Sequence, residues 1–437
     1  MTLNGTLAQP AIDTKLEEKI FRKLAVRLFP LLILGILIAY MDRANLGVVN
    51  APMSAELGLT ASAFGLAAGV FYLGYLFLEV PSNIAMNRFG ARAWLARIMF
   101  SWGAVTAAMM FIHDPMSLNI TRFLLGAAEA GFYPGIVLYM TFWFPSRLFP
   151  RALSIFQLGV PIALAITTVI SAGLLLLLDG TLGLSGWRWV FLTQGLATLV
   201  LGVAFLAFLP AGPQNAKWLT PDEREYILAH AGDRAGHAHE PGAVKRVVKS
   251  GLAWAFALQY FFLTLSFWTI TYWMPTVIKD RFGVGTVDAG LLSALPWAVC
   301  AVAMYLIGKS SARTGDRRWH LIISLLVGGV GLLASTFFDS PVMVLLFLCI
   351  AAAGSQAGLP LFFAQATSVF LGTVAAVAIA FINSLGNVSG FVGPYVIGVL
   401  VDLTGNTRIG LVAMSAAFLV SAVLTYVLTR PSIRQLR

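Results

Sequence analysis

Two ionisable residues stand inside one long apolar stretch, Leu118–Tyr139, which reads LNITRFLLGAAEAGFYPGIVLY. An apolar run of this length is typical of a membrane-spanning helix. Arg122 and Glu129 are seven residues apart, which is close to two helical turns, so they lie on one face. A charge at the centre of a bilayer costs roughly 2.5–3.5 kcal/mol on insertion scales. We therefore expect this face to line a protein interior or a water-filled path for a charged solute.

A second pair of charges, Asp42 and Arg43, lies in the first apolar run of the chain. Arginine presents a planar fork of donors that suits a carboxylate, and it keeps its charge at any working pH. An acid beside such an arginine stays ionised, but it takes up a proton more readily once a substrate anion occupies the arginine. Anion and proton binding then favour each other, and this coupling is reciprocal.

Both pairs of charges also have a structural interpretation. Arg122 and Glu129 could form an ion pair that locks helices together. Asp42 and Arg43 could extend toward the outer membrane interface as a snorkelling pair. The sequence alone leaves these interpretations open.

The composition predicts an all-α membrane protein. The 437 residues are 59% hydrophobic and 11% charged, whereas an ordinary soluble domain is about 25% charged. Twelve apolar runs are long enough to cross a bilayer. They fall near residues 24–46, 62–84, 93–112, 117–139, 151–178, 188–209, 252–278, 287–308, 320–338, 341–364, 374–402 and 409–429.

A long polar break at 210–250 divides these runs into two sets of six and is predicted to be a cytoplasmic linker. We expect a helix in it to start at Thr220-Pro-Asp-Glu. The predicted organisation is a cytoplasmic tail at 1–23, a six-helix bundle at 24–209, the linker, a second six-helix bundle at 251–430 and a cytoplasmic tail at 431–437.

The net charge of +10 reflects topology and does not indicate a nucleic-acid partner. If the N-terminus is cytoplasmic, 23 of the 29 Lys and Arg residues fall on the cytoplasmic side. The opposite side holds only Arg188, Lys279, Arg281 and Arg408. This is the positive-inside pattern, and it places both termini in the cytoplasm.

An internal repeat relates the two halves. Arg88, Gly90 and Arg92 have counterparts 225 residues later, and Glu129-Ala-Gly has a counterpart in Gln356-Ala-Gly, 227 residues later. The counterparts of the first set are Arg313, Gly315 and Arg317. Six is an even number of membrane crossings, so the second half starts on the same side of the membrane as the first. The two halves therefore share one orientation and form a parallel repeat.

Several motifs give the chain a family resemblance. They are the two R-x-G-x-R loops, YMDRAN in span one, GYLFLEVPSN and GARAWLARIM around span two, RFLLGAAEAGFYPG with YMTFWFP in span four, and INSLGNVSGFVGPYVIG in span eleven. With these motifs the chain resembles the major facilitator superfamily, and within it the anion:cation symporter branch. That branch includes bacterial carriers of tartrate, phthalate and aldonates, vesicular glutamate carriers and sialin.

The resemblance implies a role for each membrane charge. It assigns Arg43 to the substrate carboxylate, Asp42 and Glu129 to proton uptake, and Arg122 to a second basic position of the family. It implies a monomer in a bacterial cytoplasmic membrane, with lipid, protons and a small organic anion as its partners. The loop arginines Arg88, Arg92, Arg313 and Arg317 are then assigned to gating or structural roles.

Other polar residues inside the apolar runs are candidate substrate ligands. They are Tyr40, Tyr75, Gln157, Gln356 and Asn383. For each of them, ordinary hydrogen bonding between helices is an equal alternative. Glu79 lies near the cytoplasmic end of span two, two residues before Pro81, where a gating role is favoured over proton transfer.

The predicted function is proton-coupled uptake of a small organic anion, such as a tartrate, a phthalate or a sugar acid. An anion exchanger or a uniporter is the alternative. A membrane enzyme would need a nucleophile with a base, or a cluster of metal ligands, and we find no such constellation of Cys, Ser and His residues in the sequence. We therefore predict no catalytic residues, no metal site and no cofactor.

Overall fold

The computed structural model describes residues 14–145, 147–231, 242–370 and 373–429. The first half consists of α1 (Thr14–Leu57), α2 (Ala61–Phe89), α3 (Ala91–Ala108), α4 (Pro115–Glu129), α5 (Phe132–Thr141), α6 (Phe149–Leu178) and α7 (Gly186–Phe208). Two short helices follow, α8 (Pro221–His230) and α9 (Ala243–Lys249). The predicted tail at 431–437 and residues 1–13 of the predicted tail at 1–23 lie outside the described residues.

The second half begins with a long helix, α10, and repeats the order of spans of the first half. It consists of α10 (Gly251–Phe282), α11 (Thr286–Leu292), α12 (Ala294–Thr314), α13 (Arg318–Ala334), α14 (Pro341–Gln356), α15 (Leu359–Val369), α16 (Thr373–Asn387), α17 (Ser389–Thr404) and α18 (Thr407–Leu428).

Eleven helical segments of the described chain are long and apolar enough to cross a membrane. A twelfth apolar helix, α13, occupies the predicted ninth span but has only 17 residues. The all-α membrane fold predicted from composition is confirmed. The first span differs in length from its prediction, because α1 begins at Thr14 and continues for 44 residues without a break.

The fourth and tenth spans are both interrupted at the same point of the repeat. Helix α4 ends at Glu129, and α5 begins at Phe132 after Gly131 adopts a left-handed conformation (φ +86°). In the tenth span, α14 ends at Gln356 and α15 begins at Leu359. The sequence match between Glu129-Ala-Gly and Gln356-Ala-Gly therefore corresponds to a shared interruption.

Contacts between elements define two ends of the bundle. At one end, which we call the terminal end, Arg151 in α6 bonds Glu18 near the start of α1. At the other, the distal end, Arg188 at the start of α7 bonds Glu56 near the end of α1.

The two halves pack closely near the distal end. Gly65 in α2 lies so near α17 that a Cβ atom added there would be 2.3 Å from the carbonyl oxygen of Pro394. In the same way, a Cβ atom added at Gly398 in α17 would be 2.3 Å from the carbonyl oxygen of Ala61. Asp402 in α17 accepts hydrogen bonds from the backbone N–H groups of Ala61 and Ser62, each at 2.9 Å. The carboxylate thus caps the positive N-terminal end of a helix in the other half.

At the terminal end, α8 of the linker is held against the start of α1. Helix α8 begins at Pro221 with Thr220 as its capping residue, as the sequence predicts. Glu223 accepts a hydrogen bond from Lys23 at 2.6 Å and lies 3.4 Å from Lys19. Burial opposes ionisation of this carboxyl, but these lysines and the Thr220 backbone N–H outweigh it and lower the pKa of Glu223 to about 2.

We expect Glu223→Gln to lower the melting temperature at pH 7 by roughly 2–4 °C, a shift typical of the loss of one such interaction. Because the pKa is lowered on folding, the ionised carboxyl stabilises the protein above the ordinary value of 4.5 and loses this effect as pH falls toward 2. The difference from wild type should therefore shrink over that range. Thermal unfolding of the purified protein measures it, with exposed Glu225→Gln on the same helix as control. Equal melting temperatures at pH 7 would contradict the prediction.

Candidate functional site

The centre of the molecule holds a buried ion pair between α1 and the end of α4. Arg43 Nε donates a hydrogen bond to Glu129 Oε1 at 3.1 Å, and Arg43 Nη2 donates to the same oxygen. Both side chains are almost fully buried, at 8% and 1% exposure. The second carboxylate oxygen, Glu129 Oε2, has no hydrogen-bond partner among the described residues. Glu129 is thus held by a single cation through a single oxygen.

Four aromatic rings surround the Arg43 guanidinium. Its carbon lies 5.1–5.5 Å from the ring centroids of Tyr40, Phe71, Tyr75 and Trp268. Trp268 belongs to α10, in the second half, and it stacks on Tyr40 of α1 at 6.1 Å with an angle of 11° between the rings. The faces of aromatic rings attract cations, so this setting favours a charged guanidinium in a dry environment. The Arg43 site therefore lies at the boundary between the two halves.

Asp42 points away from its neighbour Arg43 and into the first half. Its Oδ2 accepts hydrogen bonds from Trp102 Nε1 and from Thr106 Oγ1, both on α3. Its Oδ1 lacks a partner in the part of the chain that the structure describes, and the residue is 1% exposed. Asp42 is thus near the ion pair in sequence but belongs to a different contact, between α1 and α3.

Arg122 is completely buried and directed at backbone carbonyl oxygens. It donates to the carbonyl oxygens of Ala67 and Ala68 at 3.2 and 3.4 Å, and to that of Asp42 at 3.5 Å. It also donates to the hydroxyl of Tyr272 on α10 at 3.4 Å. The donors of Arg122 are therefore already engaged by backbone carbonyl groups and by Tyr272 of the other half, whereas Arg43 bonds a carboxylate.

Glu79 forms a second contact between the halves, on the terminal side of the site. Its Oε1 accepts from Asn383 Nδ2 at 3.1 Å, and its Oε2 accepts from Ser384 Oγ at 3.2 Å. Glu79 lies on α2 and both partners lie on α16. In this conformation Asn383, a predicted substrate ligand, is engaged by Glu79; the gating role of that acid stays a prediction.

The remaining predicted ligands lie around the same boundary or deeper in each half. Tyr40 is half-buried, and Tyr75 is buried beside Arg43. Gln157 on α6 is buried, and its Oε1 has no partner within the described ranges. Gln356 is buried at the end of α14, at the interruption of the tenth span.

The four loop arginines lie on the terminal side, in the two loops of the repeat. Arg88, Arg92, Arg313 and Arg317 are all exposed. Arg317 Nη1 donates to the Ala364 carbonyl oxygen on α15 at 3.2 Å, which ties its loop to the tenth span. The glycine in each loop has a positive φ, +82° at 90 and +70° at 315.

Trp268 is a site residue that the sequence did not single out. Its Nε1 donor is buried and finds no acceptor among the described residues, although the ring lies 5.5 Å from the Arg43 guanidinium carbon. A tryptophan in an apolar span usually indicates packing. The available signal was the seventh span itself, where Thr264, Ser266, Thr269 and Thr271 make the sequence unusually polar for a membrane helix.

Comparison with known proteins places this architecture in a family. The Major Facilitator Superfamily model matches residues 32–394. A protein of Agrobacterium vitis named "Putative tartrate transporter" is 39% identical over 96% of this chain and 94% of its own length. The quinolone resistance transporter of Acinetobacter baumannii is 36% identical over 94% and 95%. The inner membrane transport protein RhmT of Escherichia coli is 30% identical over 95% and 97%.

Solved structures share the fold at low sequence identity. A bacterial homolog of the human lysosomal transporter Spinster superposes with a TM-score of 0.74 at 17% identity, covering 95% of this chain and 98% of that one. A D-xylose–proton symporter gives 0.73 at 15% identity, over 92% and 97%. The chain therefore belongs to the major facilitator superfamily, and it is a membrane transporter rather than an enzyme.

Proposed function

We propose that this transporter carries a small organic anion together with a proton, with Arg43 binding the substrate carboxylate and Glu129 carrying the proton. The observation that supports this most strongly is the buried Arg43–Glu129 pair at the boundary between the halves. The names of the Agrobacterium vitis relatives, which mention tartrate, support an organic anion as the cargo.

A charge count explains how such a pair couples the two ligands. In the empty carrier, Arg43 and Glu129 neutralise each other. When a carboxylate occupies Arg43 and Glu129 takes a proton, the site is neutral again. A proton without the anion leaves one positive charge, and the anion without the proton leaves one negative charge. An uncompensated buried charge costs several kcal/mol. The carrier therefore reorients readily between the two sides of the membrane only when it is empty or when it holds both the anion and the proton.

This count also sets the energetics of uptake. A membrane potential that is negative inside opposes anion entry by about 2.3 kcal/mol per charge per 100 mV. One proton per monoanion makes the loaded step electrically neutral, so the proton gradient drives it. Asp42 would add a second proton, which would let the potential contribute; that role remains a prediction.

Alternating access is the proposed route. The halves would rock about the Arg43 site, closing the distal contacts at Gly65 and Asp402 in one state and releasing them in the other. The contact of Glu79 with Asn383 and Ser384 would act as a gate on the terminal side.

We place the protein in a bacterial cytoplasmic membrane with both termini in the cytoplasm, as the distribution of basic residues predicts.

Uptake into proteoliposomes tests the proposal. The purified full chain is reconstituted, and accumulation of a carboxylate selected by thermal shift is measured with the membrane potential clamped. We expect accumulation above the external concentration only under an inward proton gradient. A uniporter would only equilibrate the anion across the membrane, and an exchanger would require a counter-anion inside the liposomes. Uptake of either kind that does not depend on the proton gradient would contradict proton coupling.

A further inference from the structure

We propose that the transported anion is a monocarboxylate with a flat, unsaturated ring, and that Trp268 determines this specificity. The inference rests on the proposed function of Arg43 and goes further by naming the class of substrate. Three features of the site carry it: the number of available cations, the chemistry of the walls, and one unused hydrogen-bond donor.

The site offers one cation to a ligand. Arg43 and Arg122 are the buried basic side chains of the described chain, and Arg122 already donates to three carbonyl oxygens and a hydroxyl. When Glu129 is the one group that carries a proton, Arg43 neutralises one carboxylate. A dicarboxylate would bring a second negative charge into a setting where no basic side chain among the described residues is free to pair with it. Such a charge is strongly disfavoured where water is excluded.

The walls favour a ring over a chain of hydroxyl groups. Tyr40, Phe71, Tyr75 and Trp268 surround the guanidinium, and Tyr40 and Trp268 are stacked across the boundary between the halves. A flat unsaturated body can extend that stack, because aromatic rings attract one another in offset and edge-on arrangements. A polyhydroxylated acid would have to surrender water from each of its hydroxyl groups against these rings, where the hydroxyl groups of Tyr40 and Tyr75 are the polar partners that the rings supply.

Trp268 contributes both a ring and a donor. Its Nε1–H has no acceptor in the described part of the protein, and the side chain is 3% exposed. A buried donor without a partner is rare in folded proteins. A ligand carboxylate that displaces Glu129 from Arg43 would supply the missing acceptor. Because Trp268 belongs to α10 and Arg43 to α1, the same ligand would then contact both halves.

Binding to the purified full-length protein tests the inference with matched ligands at pH 7.5. Benzoate and phthalate differ by one carboxylate, benzoate and cyclohexanecarboxylate differ in flatness, and tartrate is a hydroxylated dicarboxylate. We expect benzoate to bind about tenfold or more tightly than phthalate and tartrate, which corresponds to about 1.4 kcal/mol. We also expect it to bind more tightly than cyclohexanecarboxylate.

Variants at Trp268 separate its two roles. Trp268→Phe keeps a ring but removes the donor, so affinity for every carboxylate should fall by a similar factor, roughly tenfold for a hydrogen bond to a charged group. Trp268→Leu also removes the ring that stacks on Tyr40 and should sharply reduce the preference for benzoate over cyclohexanecarboxylate. Trp273→Phe is the control, because Trp273 is equally buried on α10 but donates to the Pro394 carbonyl oxygen.

The outcomes distinguish the inference from the proposed function. If phthalate or tartrate binds as tightly as benzoate and this binding requires Arg43, the substrate class is wrong while the carboxylate carrier stands. The role of Trp268 is wrong if Trp268→Leu keeps the full preference for benzoate. If Arg43→Ala does not weaken the binding of any carboxylate, both proposals are overturned.

Discussion

Arg43→Ala is expected to abolish carboxylate binding and transport. The change removes the guanidinium at the boundary between the halves and leaves Glu129 buried without its cation. Truncating one partner of a buried, hydrogen-bonded charge pair weakens binding by about 2–5 kcal/mol, so we expect the dissociation constant to rise by a factor of roughly 30 to several thousand. Counterflow exchange in proteoliposomes and calorimetric binding measure the two effects.

Two further variants keep the Arg43 prediction testable if alanine impairs folding. Arg43→Lys retains the charge but not the planar fork, so binding should weaken without vanishing. Arg27→Ala removes an exposed arginine from the same helix and should leave both activities unchanged. Counterflow at the wild-type rate in a folded Arg43→Ala protein would contradict the role assigned to this residue.

Glu129→Gln is expected to separate binding from coupling. The amide imitates the protonated acid, so Arg43 loses its internal anion and remains available to the substrate. Carboxylate binding and counterflow should persist and should lose their dependence on pH. Under a gradient of one pH unit, one coupled proton supports an accumulation of at most about tenfold, and Glu129→Gln should reduce this to simple equilibration of the anion.

Glu129→Asp provides the matched comparison, because it keeps the titratable group on a shorter side chain. We expect it to retain coupling at a reduced rate. Undiminished proton-driven accumulation in Glu129→Gln would mean that the proton travels on another group, and Asp42 would then be the first residue to test, with Asp42→Asn.

The sequence predicted the fold well because its signals are strong and local. Apolar runs of membrane-spanning length define the spans, and this signal does not depend on how the helices cross. The topology that the basic residues indicate stays a prediction. The repeat was also visible, since Glu129-Ala-Gly and Gln356-Ala-Gly are short but similar. That both mark interruptions of a span became apparent only in the structure.

The partners within the site were harder to predict. Asp42 and Arg43 are adjacent in sequence, but neighbouring residues on a helix point about 100° apart and do not face one another. Arg43 therefore pairs with Glu129, 86 residues away, whereas Asp42 bonds α3. Arg122 and Glu129 share a face, yet two turns separate them, and each finds a different partner.

Contacts between the halves could not be predicted from one chain. Asn383 meets Glu79 across 304 residues of sequence, and Trp268 reaches Arg43 from the other half. Both depend on where α2, α10 and α16 cross, which periodicity does not specify. Polar residues in an apolar span indicate that a partner exists, but they do not identify it.

The most direct test of this account counts the protons taken up when a carboxylate binds. Titration calorimetry at one pH, in buffers with different enthalpies of ionisation, yields that number. We expect wild type to take up about one proton per bound monocarboxylate when Glu129 starts ionised, and Glu129→Gln to take up none. Wild-type binding without proton uptake, or equal uptake by both proteins, would contradict the claim that the substrate displaces Glu129 from Arg43.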